Sequence, residues 1–382
     1  MENKFIIIGS YAPNTLGQIR SLGELGISPI AILLNKNTFR IDKSRYIKEC
    51  YQFGNIREAL NFAVTKFGNE PHKPFIYTDR DDLVALMNER YDELADKFYF
   101  WNAGGEQGRL NKYADKREQL KLAEACGLRI PRTEIVKVGE MPQSLSFPVF
   151  TKAVDSLNPF WKGNSYICRN EEELRSAYSR MDVEHIMLQE YIDKQDESPI
   201  CGISINDGKD VMLFGHLRCY RMPANGFGIY RYLEAFSNPA MEAQIRHYFR
   251  EIRYNGVFGF DTIIVKNGTT FFLESNFRIA QYNYAYTKFG INLPYIYAKS
   301  VLAGHIAVEE IKPPKKQRIN LMSEFEDFRI SVLHGSLSIL QWLKDVRKTD
   351  CFYFYDKNDK LPFFYTLWAK LTNAVKQKLH IR

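Results

Sequence analysis

GVFGFDTIIVKNGTTFFLESNFR, residues 256–278, reads as two short strands joined by a tight turn. FDTIIV (260–265) is apolar and β-branched, Lys266-Asn267-Gly268 has hairpin-turn chemistry, and TFFLES (270–275) returns. A hairpin lays its two outer ends side by side. Asp261, near the start of the first strand, is thereby expected to meet Glu274 and Asn276, near the end of the second. Glu274 and Asn276 are two apart and share a face. Three converging oxygen ligands of this kind suit Mg²⁺, which keeps part of its water shell and is commonly shared with substrate phosphates. Arg278 would add a fixed positive charge beside the metal. Taken alone, the stretch is also compatible with an ordinary hairpin with polar ends, and the sequence upstream argues against that reading.

Working outward, FPVFTKAV (147–154) reads as a strand with Lys152 near its end, and IMLQEYI (186–192) as a buried strand. Residues 113–128 form an amphipathic helix with Leu120 and Ala123 on its buried side and Gly127 as its stop. Residues 4–34 read strand, helix, strand, the opening of a doubly wound parallel sheet, with a further strand at KPFIYT (73–78). Gly9-Ser10 falls at the carboxyl end of the first strand, where ligand-facing loops belong. Asp79 and Asp81 sit at the same edge, suited equally to helix capping and to substrate contact. A hairpin is expected at 200–221 around Asp207-Gly208, and helices at 239–254 and 292–304. KPPKKQR (312–318) reads as a boundary.

With 382 residues the chain has room for two or three cores. Its net charge of +7 comes from scattered Lys and Arg, which favours small anionic substrates over dedicated nucleic-acid binding. Six Cys show no C-x-x-C pair and no zinc spacing, and read as reduced thiols of a cytoplasmic protein. The four-residue apolar run at the start is too short for a signal peptide or membrane span. At the other end, PFFYTLWAKLTNAVKQKLHIR (362–382) is an amphipathic helix. Packing of its apolar face onto the body is the favoured expectation, and weak peripheral contact with an anionic membrane the alternative.

The ordered series Asp115-Lys116 with GLRIPRT, FPVFTK, MLQEYI and FDTIIVKNGTTFFLESNFR resembles the ATP-grasp superfamily. Its members include D-alanine–D-alanine ligase, D-aspartate ligase, biotin carboxylase and the carbamoyl phosphate synthetase halves. The thirteen-residue step from Asp261 to Glu274, with Asn two beyond, matches that superfamily's metal site. The resemblance implies an α/β (α+β) chain with a pre-ATP βαβ domain (1–112), a small lid (113–192), an antiparallel catalytic unit (193–311) and a C-terminal extension (312–382). It further implies ATP and two Mg²⁺ ions, with Mn²⁺ able to substitute, held by Asp261, Glu274 and Asn276. Lys116 and Lys152 would face phosphates, Gln189, Glu190 and Ile192 the adenine through their backbone, and Glu197 (or Asp196) the ribose. Arg278 would clamp the transferred phosphoryl group, and Arg221 (or Arg218) the substrate carboxylate.

Two departures accompany the resemblance. The lid loop DSLNPFWKGNSYI (155–167) is poor in glycine, leaving Lys162 and Ser156 as substitutes for backbone phosphate contacts. The family's Asn-Pro-Arg is Asn-Phe-Arg at 276–278. The expected activity is that of a carboxylate–amine (or carboxylate–thiol) ligase acting through an acylphosphate on small molecules. The alternatives are a bicarbonate-phosphorylating enzyme and a non-catalytic ATP-binding protein. The loop 10–14 and the stretch QYNYAY (281–286) would line the acceptor site.

Overall fold

A computed structural model describes residues 1–154, 164–223 and 226–378. Three sheets organise it. The first is parallel, in the order Glu49–Phe53, Ile30–Leu34, Phe5–Ser10, Phe75–Tyr77. FIIIGS and IAILL are almost wholly buried because helices cover both faces, which is why they read as unbroken apolar runs. The edge strand Glu49–Phe53 (ECYQF) was not expected. Its burial alternates, and its polar, Cys-containing sequence gives no strong strand signal.

The second sheet is antiparallel, in the order Thr133–Lys137, His185–Glu190, Val149–Lys152, Ile167–Cys168, and helix Glu171–Tyr178 covers it with Asn170 capping its start. Lys152 and Gln189 therefore lie on neighbouring strands, in a register that pairs Phe150 with Gln189.

The third and largest sheet centres on Tyr254–Ile264. Ile200–Ile205 pairs with one side and Thr270–Asn276 with the other, both antiparallel. Asp210–Arg221 and Tyr230–Glu234 extend it. The turn between the central hairpin strands places Gly268 at φ +82°, a conformation that costs L residues and that glycine adopts freely. Helix Pro239–Ile252 packs behind the sheet through Ile245, Tyr248, Phe249 and Ile252.

Beyond the proline-rich boundary the chain does not leave the body. Ile319–Met322 and Cys351–Phe352 continue the large sheet. Asp359, 1% exposed, takes Arg20 Nε at 2.9 Å, and Arg20 also donates to the carbonyls of Phe354 and Asp359. Ser44 and the backbone of Arg45 donate to the same carboxylate. The C-terminal segment thus ties the first sheet's helices to the third sheet.

Two expectations are corrected. QYNYAY is core rather than an open acceptor site: Tyr284 and Tyr286 are buried, with their hydroxyls bonded to Glu24 and Asp356 and to the Gly215 carbonyl. The terminal helix Leu361–Lys378 does not bury its apolar stripe, because Phe364, Trp368, Leu371 and Val375 are all exposed. It docks through Thr366 and Lys370 on its other side, where Thr366 accepts from Arg40 N–H and Lys370 lies over the Phe39 and Phe325 rings.

Candidate active site

Asp261 and Glu274 are direct cross-strand partners in the large sheet. Asn276 lies diagonally beside them and donates from Nδ2 to Asp261 Oδ2 at 2.9 Å. The alternation of the returning strand explains this face. Ser275, between the two ligand candidates, points into the core and bonds Tyr248 Oη at 2.6 Å. Its backbone is held in both directions by Gln119, which accepts from Ser275 N at 2.8 Å and donates to Ser275 O at 3.1 Å. A β-bulge beside Asp261 shifts the register by one residue, leaving Leu273 unpaired between Glu274 and Phe272, and the pairing continues on both sides. Gln119, on helix Lys116–Ala125, was not singled out in the sequence, where it reads as one polar helix residue among several.

Two cations converge on Glu274. Lys116 Nζ lies 3.1 Å and Lys152 Nζ 3.0 Å from Oε2. Lys116 comes from the first turn of a helix capped by Asp115, Lys152 from the end of a strand of the second sheet. Burial by itself would raise the Glu274 carboxyl, but the two ammonium groups hold it far below the usual carboxylate range. Burial lowers Lys152, with Lys116 adding repulsion and Glu274 opposing both. Asp261 is pushed up to about 7, by burial first and by the neighbouring Glu274 charge second, against the pull of Arg278 and Arg231.

Arg278 reaches across to the first sheet. Its Nε lies 3.0 Å from both oxygens of Asp81. Burial opposes its charge, and Asp81, Asp79 and Asp261 more than compensate, so it stays firmly protonated. Asp79 is raised by burial, while the Ser10 N–H at 3.0 Å and Arg278 draw it down. Gly9 permits this approach, since a Cβ there would stand 2.8 Å from Asp79 Oδ1 and 2.4 Å from Thr15 Oγ1. Asp79 and Asp81 are not helix caps: Arg80 occupies that position, and Asp81 is the first helical residue.

Arg221, expected to meet a substrate carboxylate, is already held by two carboxylates of the C-terminal segment. Asp327 grips it through Nε and Nη2 at 2.8 and 2.7 Å, and Asp345 through Nη1 at 2.9 Å. The expectation came from the resemblance alone; in the structure the register slips between Cys219 and Arg221, so Tyr220 is an extra residue just before Arg221. Arg218 is also engaged, by Asp196 at 2.6 Å. Arg231, which the sequence reading missed, is with Arg278 one of the two arginines whose charge acts on Asp261. It is buried, pairs with Glu197 Oε2 at 2.6 Å, and lies over the Tyr282 ring. An arginine inside the otherwise apolar and aromatic run IYRYL was the available signal.

Glu197 is buried and holds Lys194 and the Gly228 N–H in addition to Arg231. Gln189 is buried with its side chain on Thr133, Glu190 binds Arg132, and the Glu190 and Tyr191 N–H groups donate to the carbonyls of Arg132 and Pro148 at the end of the strand pairing. Ser156 and Lys162 lie outside the described residues.

The donor set fits a shared Mg²⁺ better than a protein-only metal. Among the described residues no cluster of three or more His, Cys, Asp or Glu could hold an ion. Two carboxylates and an amide oxygen leave coordination positions for phosphate oxygens and water, the way Mg²⁺ is usually bound.

No protein-family model matches the sequence, and the search of curated proteins found no match. Solved structures are similar in fold. The L-amino acid ligase from Bacillus licheniformis superposes with a TM-score of 0.61 at 16% identity, over 82% of this chain and 78% of that one. N5-carboxyaminoimidazole synthase from Aspergillus clavatus, in complex with ADP and 5-aminoimidazole ribonucleotide, gives 0.62 at 10%, over 82% and 80%. Biotin carboxylase from Campylobacter jejuni gives 0.59 at 17%, over 83% and 73%. All three are ATP-grasp enzymes, and this chain has the ATP-grasp fold.

Proposed function

We propose that the chain is an ATP- and Mg²⁺-dependent carboxylate–amine ligase that works through an acylphosphate. The observation that carries this reading is the convergence of Lys116 and Lys152 on Glu274, beside Asp261 and Asn276. Such a cluster, two buried cations beside two carboxylates, is built to exchange partners when polyphosphate and a divalent ion arrive together.

In this reading Asp261, Glu274 and Asn276 hold Mg²⁺, which when bound would neutralise charge on the β- and γ-phosphates. Lys116 and Lys152 move from Glu274 onto phosphate oxygens, as point charges suited to that role. Backbone groups of Gln189, Glu190 and Ile192 hold adenine, and Glu197, fixed by three donors, takes the ribose hydroxyls. Arg278 contacts the transferred phosphoryl group while Asp81 holds its guanidinium in place. Arg231 replaces Arg221 as the cation offered to the substrate carboxylate or its acylphosphate. The acceptor side is formed by Ser10, Asp79 and Asp81, whose carboxylates suit an incoming amine.

The test is release of ADP and phosphate by purified protein with Mg²⁺ and amino acids offered in pairs. Release that needs both a carboxylate and an amine supports the ligase. Release driven by bicarbonate alone would favour a carboxylase-type reaction. Nucleotide binding with no release from any pair would leave a binding protein.

A further inference from the structure

The helix Leu361–Lys378 faces outward with the residues that a helix normally buries. At about 100° per residue, Leu361, Phe364, Tyr365, Trp368, Leu371 and Val375 fall within an arc of about 120°. All six are exposed, Trp368 to 69%. Pro362, Phe363, Thr366 and Lys370 lie on the opposite side and make the contact with the body, where Thr366 is fully buried. The helix is therefore anchored by one face and presents a second apolar face to the surroundings. Thr372 falls within the outward arc, and its hydroxyl is returned to the carbonyls of Trp368 and Ala369, so it adds no free polar group there.

Charge distinguishes among the surfaces that could cover this face. Residues 360–382 contain Lys360, Lys370, Lys376, Lys378 and Arg382 and no Asp or Glu. Beside the Tyr365 ring, Arg40 and Lys43 bring two further cations within 6 Å, both paired with Asp42, and on the docked side Glu326 and Arg329 act on Lys370. Trp and Tyr among aliphatic residues, with lysines and no acids, match the boundary between headgroups and acyl chains of an anionic bilayer. No helix among the described residues is long and apolar enough to cross a membrane, so the helix would lie on a bilayer rather than span it.

We propose that Leu361–Lys378 docks the protein on an anionic lipid surface, with Phe364, Trp368 and Leu371 inserted and Arg40 and Lys43, beside Tyr365, at the headgroups. This holds whatever reaction the ATP site performs. Full-length protein is floated with vesicles of phosphatidylcholine, with or without about one third phosphatidylglycerol. Wild type is expected to bind the anionic vesicles at least about tenfold better, and to lose most of that binding in high salt. The Phe364→Ser/Trp368→Ser/Leu371→Ser variant should melt like wild type and stay unbound. The Lys376→Glu/Lys378→Glu variant changes no apolar side chain and should also release the protein, which keeps the test decisive if the triple variant unfolds. Equal flotation with uncharged vesicles, or wild type no better bound than the variants, would overturn the proposal. So would light scattering that shows a wild-type dimer and a monomeric triple variant with no difference on vesicles, since a second copy would then be the occupant.

Discussion

Lys152 Nζ stands 3.0 Å from Glu274 Oε2, and these two groups come from different sheets, one from the end of Val149–Lys152 and the other from Thr270–Asn276. The pair bridges the small sheet and the large one, with Lys116 at 3.1 Å from the same oxygen. Without ligand, the cluster satisfies charges that a nucleotide and its metal would otherwise satisfy.

Glu274→Gln is expected to lower Mg²⁺-dependent turnover by about a hundredfold or more, since it removes charge from the metal face at constant volume. It also leaves two buried ammonium groups facing a neutral amide. Nucleotide-free protein should lose about 2–3 kcal/mol of stability, a loss that ATP partly restores by supplying phosphate charge. Product release and thermal melts with and without ATP check both halves. Near-normal turnover would remove Glu274 from the metal site.

Lys152→Ala should act on binding first. Loss of one phosphate contact is expected to weaken ATP affinity about tenfold or more, near 1.4 kcal/mol. Calorimetric titration with a non-hydrolysable ATP analogue reads this directly. Unchanged affinity and rate would show that Lys152 serves only to balance Glu274.

The Asp261 carboxyl, raised to about 7, gives a pH prediction with a definite sign. Its folded-state value lies above the unfolded one of about 3.9, so the native state binds more protons between them. The stability contributed by protonated Asp261 is full below about pH 4 and is lost as pH rises through about 7. Metal binding runs the opposite way, because the ion needs the carboxylate. Mg²⁺ affinity of nucleotide-free protein should fall about tenfold per pH unit below about 7, with proton release on binding. Titration calorimetry in buffers of different ionisation enthalpy measures that release. A flat profile, or Asp261→Asn binding Mg²⁺ as well as wild type, would exclude Asp261 as a ligand.

Arg221 and Arg231 should separate stability from catalysis. Arg221→Ala leaves the buried Asp327 without its bidentate partner and is expected to cost about 3 kcal/mol, while kcat stays within about threefold of wild type. Arg231→Lys, which preserves charge and removes the planar fork, should cut kcat at least tenfold while its melting temperature falls little. The opposite pattern would return Arg221 to the substrate and make Arg231 a support for Glu197.

The hairpin was legible because it is local. Its strands, its turn and the shared face of Glu274 and Asn276 follow from period-two alternation and from Asn267-Gly268, whereas the metal reading also drew on the motifs upstream. The parallel opening was legible for the same reason, since strands buried on both faces become continuous apolar runs. The edge strand at 49–53 was not, because a half-exposed edge imposes little on sequence.

What the sequence could not determine was where long charged side chains end. Lys116, Lys152, Arg278 and Arg221 each reach several ångströms from the backbone, and their partners lie 158, 122, 197 and 106 residues away along the chain. Arg221 follows a one-residue register slip and is held by Asp327 and Asp345, while the charge of Arg231 acts on Asp261. The same holds for the terminal helix, whose sequence fixes an apolar stripe but not its direction. Packing of Thr366 and Lys370 against residues 39–40 and Phe325 turned that stripe outward. Local periodicity sets which residues share a face, and only the tertiary arrangement chooses what that face meets.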